Sequence, residues 1–514
     1  MPDSQYITTP IYYVNDKPHI GHAYTSIVSD VMARFKRMQG QHVKLVTGTD
    51  EHGQKIEQAA KIAKQTPRHL TDKFSANFKQ LAQMIGCDFD DFIRTSEKRH
   101  YQAAQAMWRA LENNGDLYKG HYEGWYAIRD EAFYNDDELT QDASGQKIAP
   151  TGAVVEWCKE PSWFFRLSKY QEPLLEHYLK HPNFIKPKSR MNEIVSFVKS
   201  GLNDLSVSRA SFKWGIPVPG DPDHVIYVWL DALVNYITAL GYPHQDEQHF
   251  EQFWSNTTHI VGKDILRFHG VYWPAFLMSA RLSLPKQIFA HGWWMNEGQK
   301  MSKSLGNVID PFNLIKQYGL DPVRYFMMRQ LSFGNDGDFS HQAMQTRINK
   351  DLANDLGNLI QRVLAMVQRY LDGRLKSFVP SATIDLELLQ KSNNCLNRLS
   401  HMISDLIYHQ MLEQIWSLIN AANQYVDQTA PWALRKNDRE RMDEVLYVLC
   451  DILRRIALLI YPFMPQSAHN ILDQLKVSND LRSYAYFDQF LTCDDILSPP
   501  KIIFPRYQEQ PQSE

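Results

Sequence analysis

Residues 5–47 read QYITTPIYYVNDKPHIGHAYTSIVSDVMARFKRMQGQHVKLVT, and this stretch decides the fold of the N-terminal half of the chain. Within it, apolar residues recur at steps of four, four and three, which is the spacing of one face of an α-helix. These residues are Ile27, Val31, Phe35 and Met38. The spacing predicts a helix over residues 21–39, and Gly40 is a residue type that commonly ends helices.

The helix is flanked by two segments with the composition of β-strands. Residues 5–9 are rich in β-branched and aromatic side chains, and residues 42–47 contain two valines and a leucine. Residues 10–18 carry two prolines, Asn and Asp and are predicted to form a loop. A strand, a helix and a strand in this order predict two parallel strands with a right-handed crossover. The carboxyl ends of such strands open on a crevice where α/β sheets bind ligands.

The middle of the chain has a different composition. Residues 117–225 are rich in Trp, Tyr, Gly and acidic residues and have short strand-like runs, which indicates an inserted α+β subdomain. After the insertion the alternation of strands and helices returns, with candidate strands at residues 225–228, 259–261 and 287–289. We therefore expect an α/β fold in which a Rossmann-type parallel sheet is split in sequence by the insertion.

The C-terminal part is predicted to be an all-α helix bundle. Its apolar side chains alternate at steps of four and three, as in Leu352, Leu356, Leu359, Val363, Met366 and Tyr370. The expected divisions of the chain are 1–116 and 226–290 for the two halves of the Rossmann-type domain, 117–225 for the insertion, 291–345 for a connecting loop region, 346–475 for the helical domain and 476–514 for a C-terminal extension with a frayed end.

The bulk composition is that of a globular protein with more than one domain. The 514 residues are 44% hydrophobic and 22% charged, with a formal net charge of −3. This charge argues against a protein that only coats nucleic acid, but a local basic patch would still allow RNA binding. The five cysteines form no C-x-x-C pair. Since we find neither a leader peptide nor an apolar run of about 18 residues, we expect a protein of the reducing cytoplasm.

Two histidines, His19 and His22, stand three residues apart at the predicted start of the first helix. Side chains at this spacing project from one side of the first turn. A helix N-terminus attracts phosphate through its free N–H groups and partial positive charge. Two imidazole donors there would hold a triphosphate, and Gly21 between them would let a flat base pack against the backbone. The alternative is a pair of surface or core histidines near a turn.

A second polar segment, Lys300-Met301-Ser302-Lys303-Ser304, lies between glycine-containing stretches and is predicted to form a loop. Two lysines and two serines in a mobile loop would close over a polyphosphate and stabilise the transition state more than the ground state. Lys300, Ser302 and Lys303 are the candidates for this contact. The alternative is a solvated charged loop without a role in binding.

The segments His19-Ile20-Gly21-His22 and Lys300–Ser304 together resemble, letter for letter, the two signature motifs of the class I aminoacyl-tRNA synthetases. In that family both motifs bind ATP and stabilise adenylate formation. The resemblance therefore implies that His19, His22, Lys300 and Lys303 are catalytic and that ATP enters with Mg²⁺. It also implies that an amino-acid carboxylate attacks the α-phosphate, that pyrophosphate leaves, and that the aminoacyl group passes to the terminal adenosine of a tRNA.

Four further segments, residues 9–15, 47–53, 227–232 and 262–265, are similar to the methionine-specific members of this family. The similarity covers essentially the whole chain apart from its very C-terminus. It implies L-methionine as the amino acid and adds Gly262 and Asp264 to the ATP site. The methionine-binding residues that it implies are Ile11, Tyr13, Asp50, Trp229, Ala232, Tyr236, Ile265, His269 and Trp273.

These residue types suit a methionine site. Asp50 ends the second predicted strand, where its carboxylate would pair with the substrate ammonium. A thioether is polarizable and packs well against aromatic rings. His269 would either hydrogen-bond near the sulfur or order the aromatic side chains, and the residues alone do not decide between these roles. Taken singly, each aromatic side chain would be assigned to an ordinary core.

The helical domain carries residues that would read RNA. Asn358 and Arg362 are four apart and share a helix face, and amide and guanidinium groups suit bonds to exposed base edges. Trp432, next to Pro431, would offer a surface on which a base stacks. The resemblance implies that these three residues read the CAU anticodon of tRNA(Met). Read alone, they would be a surface pair and a buried tryptophan.

The sequence departs from the family in one respect. Many relatives carry C-x-x-C zinc knuckles in the insertion, whereas this chain has Ala127-Ile128-Arg129-Asp130, and a lone Cys158 cannot make a four-ligand site. We therefore expect a knuckle without zinc, held by packing. Longer relatives also carry a C-terminal dimerising module, so we expect a monomer without an obligate protein partner. The rival interpretations are another class I synthetase, an inactive RNA-binding paralogue and a small nucleotidyltransferase.

Overall fold

A computed structural model describes residues 4–508 of the chain, apart from positions 15, 16, 130, 131, 135, 143, 227, 245, 302–306, 493 and 494. The N-terminal half is a mixed α/β fold around a parallel sheet, and an all-helical part follows it. This confirms the predicted fold class. None of the described helices combines the length and the apolar composition needed to cross a membrane.

The first βαβ unit forms as predicted. The opening elements are β1 (Ser4–Tyr13), α1 (Ile20–Met38), β2 (His42–Asp50), α2 (Gln54–Ile62), α3 (Pro67–Met84), β3 (Asp91–Arg94) and α4 (Lys98–Asn113). β1 and β2 pair in parallel, with Tyr6 opposite Lys44. The predicted loop at residues 10–18 was wrong up to Tyr13, because the register of β1 shifts between Thr8 and Ile11. Such an irregularity tolerates Pro10, which has no N–H to give to the ladder.

The inserted segment is dominated by short antiparallel strands. Its elements are β4 (Leu117–Ala127), β5 (Ala132–Tyr134), β6 (Thr140–Gln141), β7 (Lys147–Ile148), β8 (Glu156–Phe165), α5 (Gln171–Lys180), β9 (Ile185–Lys186), α6 (Lys188–Lys199), β10 (Leu205–Ser206), β11 (Ser208–Arg209), β12 (Pro217–Val218) and β13 (Asp221–Ile226). Strands β10, β8, β4 and β5 form one sheet, and β11, β13 and β12 form another. β9 instead joins the edge of the main parallel sheet, beside the later strand Gln287–His291.

The main sheet is completed after the insertion. The next elements are α7 (Val228–Leu233), α8 (Asn235–Thr238), α9 (Glu247–Trp254), β14 (Thr257–Gly262), α10 (Trp273–Ser279) and β15 (Gln287–His291). The strand order is β3-β2-β1-β14-β15-β9, and every pair is parallel. The candidate strands at 259–261 and 287–289 are confirmed. The one at 225–228 was wrong for this sheet, since β13 ends at Ile226 in an antiparallel sheet and Val228 begins α7.

The helical domain is entered through a small sheet. The remaining elements are β16 (Trp294–Asn296), β17 (Gln299–Lys300), α11 (Pro311–Tyr318), α12 (Leu320–Arg329), β18 (Gly337–Phe339), α13 (His341–Arg347), a π-helix (Ile348–Gly357), α14 (Asn358–Leu371), α15 (Thr383–Met402), α16 (Tyr408–Thr429), α17 (Pro431–Asn437), α18 (Arg439–Ile460) and α19 (Pro465–Gln474). The predicted helix bundle is confirmed.

Helix α1 packs against both halves of the molecule. Its apolar face belongs to the same buried cluster as the C-terminal helices. The carboxylate of Asp30 accepts a bond of 2.6 Å from Arg324, which is itself fully buried and also donates to the carbonyl of Phe463. Tyr408 donates its hydroxyl to the carbonyl of Val28 at 2.8 Å. The helix that begins at the two histidines is therefore fixed along its length by the bundle.

Candidate active site

The predicted site residues meet at the carboxyl ends of β1 and β14. These two strands are neighbours at the centre of the sheet. After β1 the chain continues to β2 on one side of the pair, and after β14 it continues to β15 on the other side. A position of this kind is a topological switch point, where open α/β sheets bind ligands. His19 and helix α1 follow β1 along the chain, and residues 263–273 follow β14.

His19 and His22 cap the N-terminus of α1 with their rings. The Nδ1 of His19 accepts the N–H of Gly21 at 3.1 Å, and the Nδ1 of His22 accepts the N–H of His19 at 3.1 Å. The rings stack with centroids 3.8 Å apart. A Cβ at Gly21 would lie 2.9 Å from the ring of His19, so glycine is needed for this arrangement. Since each Nδ1 accepts a bond, each neutral ring carries its proton on Nε2, where it can donate.

The environment keeps both rings neutral. Burial lowers the pKa of His19, although the negative charge of Asp264 acts in the opposite direction. Burial and then the neighbouring His19 lower the pKa of His22 well below its ordinary value. The pair therefore presents two uncharged N–H donors beside the positive end of a helix.

Only part of the second signature can be placed. β17 ends at Lys300 and pairs with β16, so the signature follows a short hairpin. Ser302, Lys303 and the side chain of Lys300 lie outside the described residues.

Asp264 follows β14 and is held by a neighbouring tryptophan. The indole Nε1 of Trp293 donates to its Oδ1 at 3.1 Å. A Cβ at Gly262 would lie 2.5 Å from the same oxygen, so a side chain there would displace the carboxylate. Lys263 is turned away, since its ammonium lies 2.7 Å from both carboxylate oxygens of Asp336.

A cluster of aromatic side chains is formed by α7, α8 and the residues that follow β14. Trp229 stacks on Phe268 with ring centroids 3.6 Å apart and planes 13° apart. Tyr236 and Trp273 are buried, with centroids 6.2 Å apart. Ala232 is buried on the same short helix as Trp229, and Ile265 is partly buried.

Three further candidate methionine residues lie at the carboxyl ends of β1 and β2. Tyr13 at the end of β1 pairs with Asp50 at the end of β2, and Ile11 pairs with Gly48. The side chain of Asp50 is almost fully buried, as expected for a carboxylate that meets a charged group inside a cleft. Ile11, Tyr13 and Asp50 thus lie at the carboxyl ends of β1 and β2, and His52, two residues after Asp50, bonds to Asp231 on the helix that carries Trp229 and Ala232.

Tyr236 and His269 form a bonded pair whose proton positions follow from their partners. The Nδ1 of His269 lies 2.9 Å from the carbonyl of Ile265, so this nitrogen donates. The Nε2 of His269 lies 2.7 Å from the hydroxyl of Tyr236, so in the neutral ring it accepts the tyrosine proton. Burial lowers the pKa of His269 to about 4. His269 thus orients Tyr236, whose oxygen keeps only its lone pairs for the pocket.

The three candidate anticodon residues lie together in the helical domain, far from this cleft in sequence. Asn358 begins α14 and is exposed, and Arg362 donates to Asp427 at 2.8 Å. Trp432 lies in the first turn of α17, which packs against α14, and is 44% exposed. The exposed ring is available for stacking, unlike the buried tryptophan of the alternative interpretation.

Sequence reasoning missed two residues of the cleft. Phe268 was absent from the expected pocket although it lies between Ile265 and His269, and Trp293 was absent although it follows His291-Gly292 after a strand. The signal for both was proximity to an expected residue. Aromatic side chains in an apolar run do not otherwise differ from core.

Comparison with known proteins identifies the class first. Residues 5–364 match the family described as tRNA synthetases class I (M), and residues 382–510 match the anticodon binding domain of methionyl tRNA ligase. A methionine–tRNA ligase from Rickettsia bellii is 53% identical over 99% of this chain and 100% of its own. One from Brucella suis is 51% identical over 99% of this chain and 98% of its own.

Solved structures agree with these matches. The Mycobacterium tuberculosis methionyl-tRNA synthetase in complex with methionyl-adenylate is 46% identical, with a TM-score of 0.95 over 98% of this chain and 100% of that one. Its free form is 43% identical, with a TM-score of 0.89 over 99% of both chains. The fold and the matches are those of a class I aminoacyl-tRNA synthetase. The chain belongs to the methionyl-tRNA synthetase family, the ATP-dependent ligases that activate methionine and attach it to tRNA.

Because these histidines are neutral, we expect kcat/KM to fall on the acid side only at a pH below the ordinary pKa of histidine. A lowered pKa means that the neutral form persists as the pH falls below 6.5, and for His269 it persists to about 4. We expect kcat/KM for methionine to stay constant from about pH 8 to about pH 6 and to fall only at lower pH. A pH series of pyrophosphate exchange measures this. A half-maximal loss near 6.5 would contradict the assignment of the neutral rings.

Proposed function

We propose that methionine and ATP react in the cleft between β1 and β14, where the methionine carboxylate attacks the α-phosphate and pyrophosphate leaves. The Nε2–H groups of His19 and His22 would donate to phosphate oxygens as charge builds on them, and Gly21 leaves space for the adenine. The observation that carries this proposal is the capping geometry that gives both rings an Nε2 proton. Fixed donors of this kind stabilise a transition state without reorganising.

The remaining nucleotide contacts are assigned around these donors. We assign Gly262 and Asp264 to the ribose side of ATP, since Trp293 holds the Asp264 carboxylate at the cleft. Lys300, which ends β17, and Ser302 and Lys303 are assigned to the leaving pyrophosphate, because this segment matches the second signature motif of the family. Mg²⁺ enters with ATP as part of the substrate, since this ion commonly binds through substrate phosphates.

Methionine is assigned to the aromatic pocket. The carboxylate of Asp50 would pair with the ammonium, and the side chain would enter between Trp229, Tyr236 and Trp273. The walls are completed by Ile11, Tyr13, Ala232, Ile265 and His269. A thioether gains from contact with aromatic rings, and the Tyr236 oxygen, held by His269, would face it without a donor proton of its own.

We propose that the inserted knuckle works without zinc. A small core of Ala127, Ala149, Ala153 and Val155 packs inside it. The guanidinium of Arg129 donates to the carbonyl of Thr151 at 2.7 Å and so ties the two parts of the knuckle together. Among the described residues, no group of three or more His, Cys, Asp or Glu is arranged to hold a metal ion.

The anticodon is assigned to the exposed face of α14 and α17. Asn358 and Arg362 would bond to base edges of the CAU triplet, and Trp432 would stack on one of its bases. Arg362 would exchange its exposed partner Asp427 for the RNA. Breaking the ion pair with Asp427 costs little free energy, because exposed ion pairs contribute little to stability.

Removing the stacking surface should weaken tRNA binding alone. We expect Trp432→Ala to raise KM for tRNA(Met) in aminoacylation by about 10–100-fold, since stacking on an aromatic ring stabilises each base by about 1–3 kcal/mol. Pyrophosphate exchange without tRNA should not change. Trp432→Phe keeps a ring and should recover most of the loss. Equal KM for tRNA in both variants would refute the stacking role.

We further propose a monomer of the cytoplasm without an obligate protein partner. Every residue assigned to the reaction comes from one chain, so no second copy is needed to complete the site. Cys87, Cys158, Cys395 and Cys450 are free thiols, as in a reducing compartment. Light scattering at working concentration tests the monomer.

Pyrophosphate exchange with each of the twenty amino acids tests the whole assignment, using chelator-treated protein with added Mg²⁺ and no zinc. Exchange driven by methionine alone supports the pocket and the dispensability of zinc. Exchange that returns only with zinc would overturn the metal-free knuckle. Exchange with another amino acid would overturn the pocket. No exchange under any condition would favour an inactive RNA-binding paralogue.

A further inference from the structure

A fully buried aspartate beside the methionine pocket is held between two histidines. The Oδ2 of Asp231 lies 2.5 Å from the Nδ1 of His52, and its Oδ1 lies 2.7 Å from the Nε2 of His100. Asp231 and His100 are inaccessible to solvent, and His52 is only 2% exposed. None of these residues has a place in the reaction described above, and a buried charged group of this kind requires an explanation.

The protons of this cluster follow from its outer partners. The hydroxyl of Thr238 donates to the carbonyl of Val234 at 2.9 Å, so it can only accept from the Nδ1 of His100, which is 3.1 Å away. The Nδ1 of His100 therefore donates to Thr238, and its Nε2 faces the carboxylate of Asp231 at 2.7 Å. The hydroxyl of Tyr101 lies 3.2 Å from the Nε2 of His52, which leaves the Nδ1 of His52 as a donor to Asp231.

The pKa of Asp231 agrees with these contacts. Burial acts to raise the pKa of Asp231, but the facing rings of His52 and His100 outweigh it and lower this pKa. Both carboxylate oxygens thus accept a bond, as a buried carboxylate requires.

The cluster joins two parts of the proposed methionine site. His52 comes two residues after Asp50, at the end of β2, and Asp231 lies between Trp229 and Ala232 on the short helix α7. The turn that contains His52 is also held from the insertion, where the indole of Trp214 donates to the carbonyl of Glu51 and the N–H of Gly53 donates to the carbonyl of Trp214. The bond between His52 and Asp231 is thus a direct link between the two walls.

We propose that Asp231, bonded to His52 and His100, is a positioning residue that sets the distance between the ammonium site at Asp50 and the pocket wall at Trp229 and Ala232. This inference rests on the proposed roles of Asp50, Trp229 and Ala232. Methionine must contact both walls at once, so its affinity depends on their spacing. ATP contacts neither wall, so its KM does not depend on that spacing.

The first test replaces the carboxylate. Asp231→Asn keeps the shape but cannot accept a bond from both histidines. We expect KM for methionine in pyrophosphate exchange to rise by about 10–100-fold, because a displacement of about 1 Å has effects of this size, while KM for ATP stays within about 2-fold. The ratio of kcat/KM for methionine to kcat/KM for ethionine or norleucine should fall, because the spacing of the walls no longer selects one side-chain length.

A matched control is available in the C-terminal bundle. Asp451 is also inaccessible and also holds two basic side chains, with bonds of 2.8 Å from Arg454 and from Arg455. Asp451→Asn should lower the melting temperature and leave KM for methionine unchanged. A rise in KM that is equal in both variants would overturn the proposal, because it would reflect general destabilisation.

The second test separates bonding from packing at His52, and it decides the matter if Asp231→Asn fails to fold. The amide nitrogen of asparagine is as many bonds from Cβ as the Nδ1 of histidine, whereas that of glutamine corresponds to Nε2. His52→Asn therefore keeps the donor to Asp231, and His52→Gln loses it. We expect KM for methionine within about 3-fold of wild type for His52→Asn and about 10–100-fold higher for His52→Gln, since hydrogen bonds to charged groups have effects of this size.

If His52 acted only through packing, KM for methionine would be higher for His52→Asn than for His52→Gln, because glutamine fills more of the histidine volume. That result would overturn the proposal. Asp50→Asn distinguishes this failure from a failure of the proposed function. If Asp50→Asn raises KM for methionine but Asp231→Asn and His52→Gln do not, only the positioning role is refuted. If Asp50→Asn has no effect, the ammonium site itself is wrongly assigned.

Discussion

Replacing Asp50 by asparagine should lower kcat/KM for methionine by about 10²–10³-fold, because truncating one partner of a buried charged pair costs about 2–5 kcal/mol. Asp50 is almost fully buried at the end of β2, opposite Tyr13. Asparagine has the same shape but would leave the substrate ammonium without an opposing charge inside the cleft. The loss should appear in KM for methionine, measured by pyrophosphate exchange at saturating ATP.

The matched control for Asp50 is the other carboxylate of the cleft. Asp264→Asn makes the same chemical change on the nucleotide side, where Trp293 holds the side chain. It should raise KM for ATP and leave KM for methionine almost unchanged. If the two variants gave the same pattern, the division of the cleft into an amino-acid side and a nucleotide side would be wrong.

Replacing His22 by asparagine should lower kcat for adenylate formation by about 10²–10³-fold, the loss found when one donor of this kind is removed from a transition state. Asparagine reaches the position of Nδ1 and can still accept the N–H of His19, so the helix cap survives. It has no donor at the position of Nε2. KM for methionine should change little, because the lost interaction forms only as charge develops on the phosphate.

Glutamine at the same position provides the control for His22. Its amide nitrogen lies where Nε2 lies, so His22→Gln should retain more of kcat than His22→Asn, although it loses the cap. Melting temperatures should rank the two variants in the opposite order, since only asparagine keeps the cap. If kcat followed stability instead, the histidine would be acting through the helix and not on the phosphate.

Local patterns predicted the centre of the fold. The spacing of Ile27, Val31 and Phe35 predicted α1, and Asp50 was expected at the end of a strand that the structure places in the cleft. Both inferences depend on residues close in sequence. Roles in the site came from the motifs, since an aromatic or histidine side chain looks the same in a core and in a pocket.

Features that depend on distant contacts were not predictable in this way. β9 has two residues and becomes a strand only because β15, about a hundred residues later, offers it an edge. Val228 is a residue type common in strands, yet it begins α7, because residue preferences for strands depend strongly on context. The bond between His52 and Asp231 joins residues 179 positions apart, and neither side chain signals its partner.

The placement of α1 has a consequence for dissecting the molecule. One flank of this helix is covered by the C-terminal bundle, through Tyr408 and a continuous apolar cluster. A fragment ending near residue 345 would leave that flank in water, so the Rossmann-type half is not a self-sufficient folding unit. Grafting the anticodon-reading half onto another catalytic domain would therefore require the outer surface of α1 to be transplanted with it.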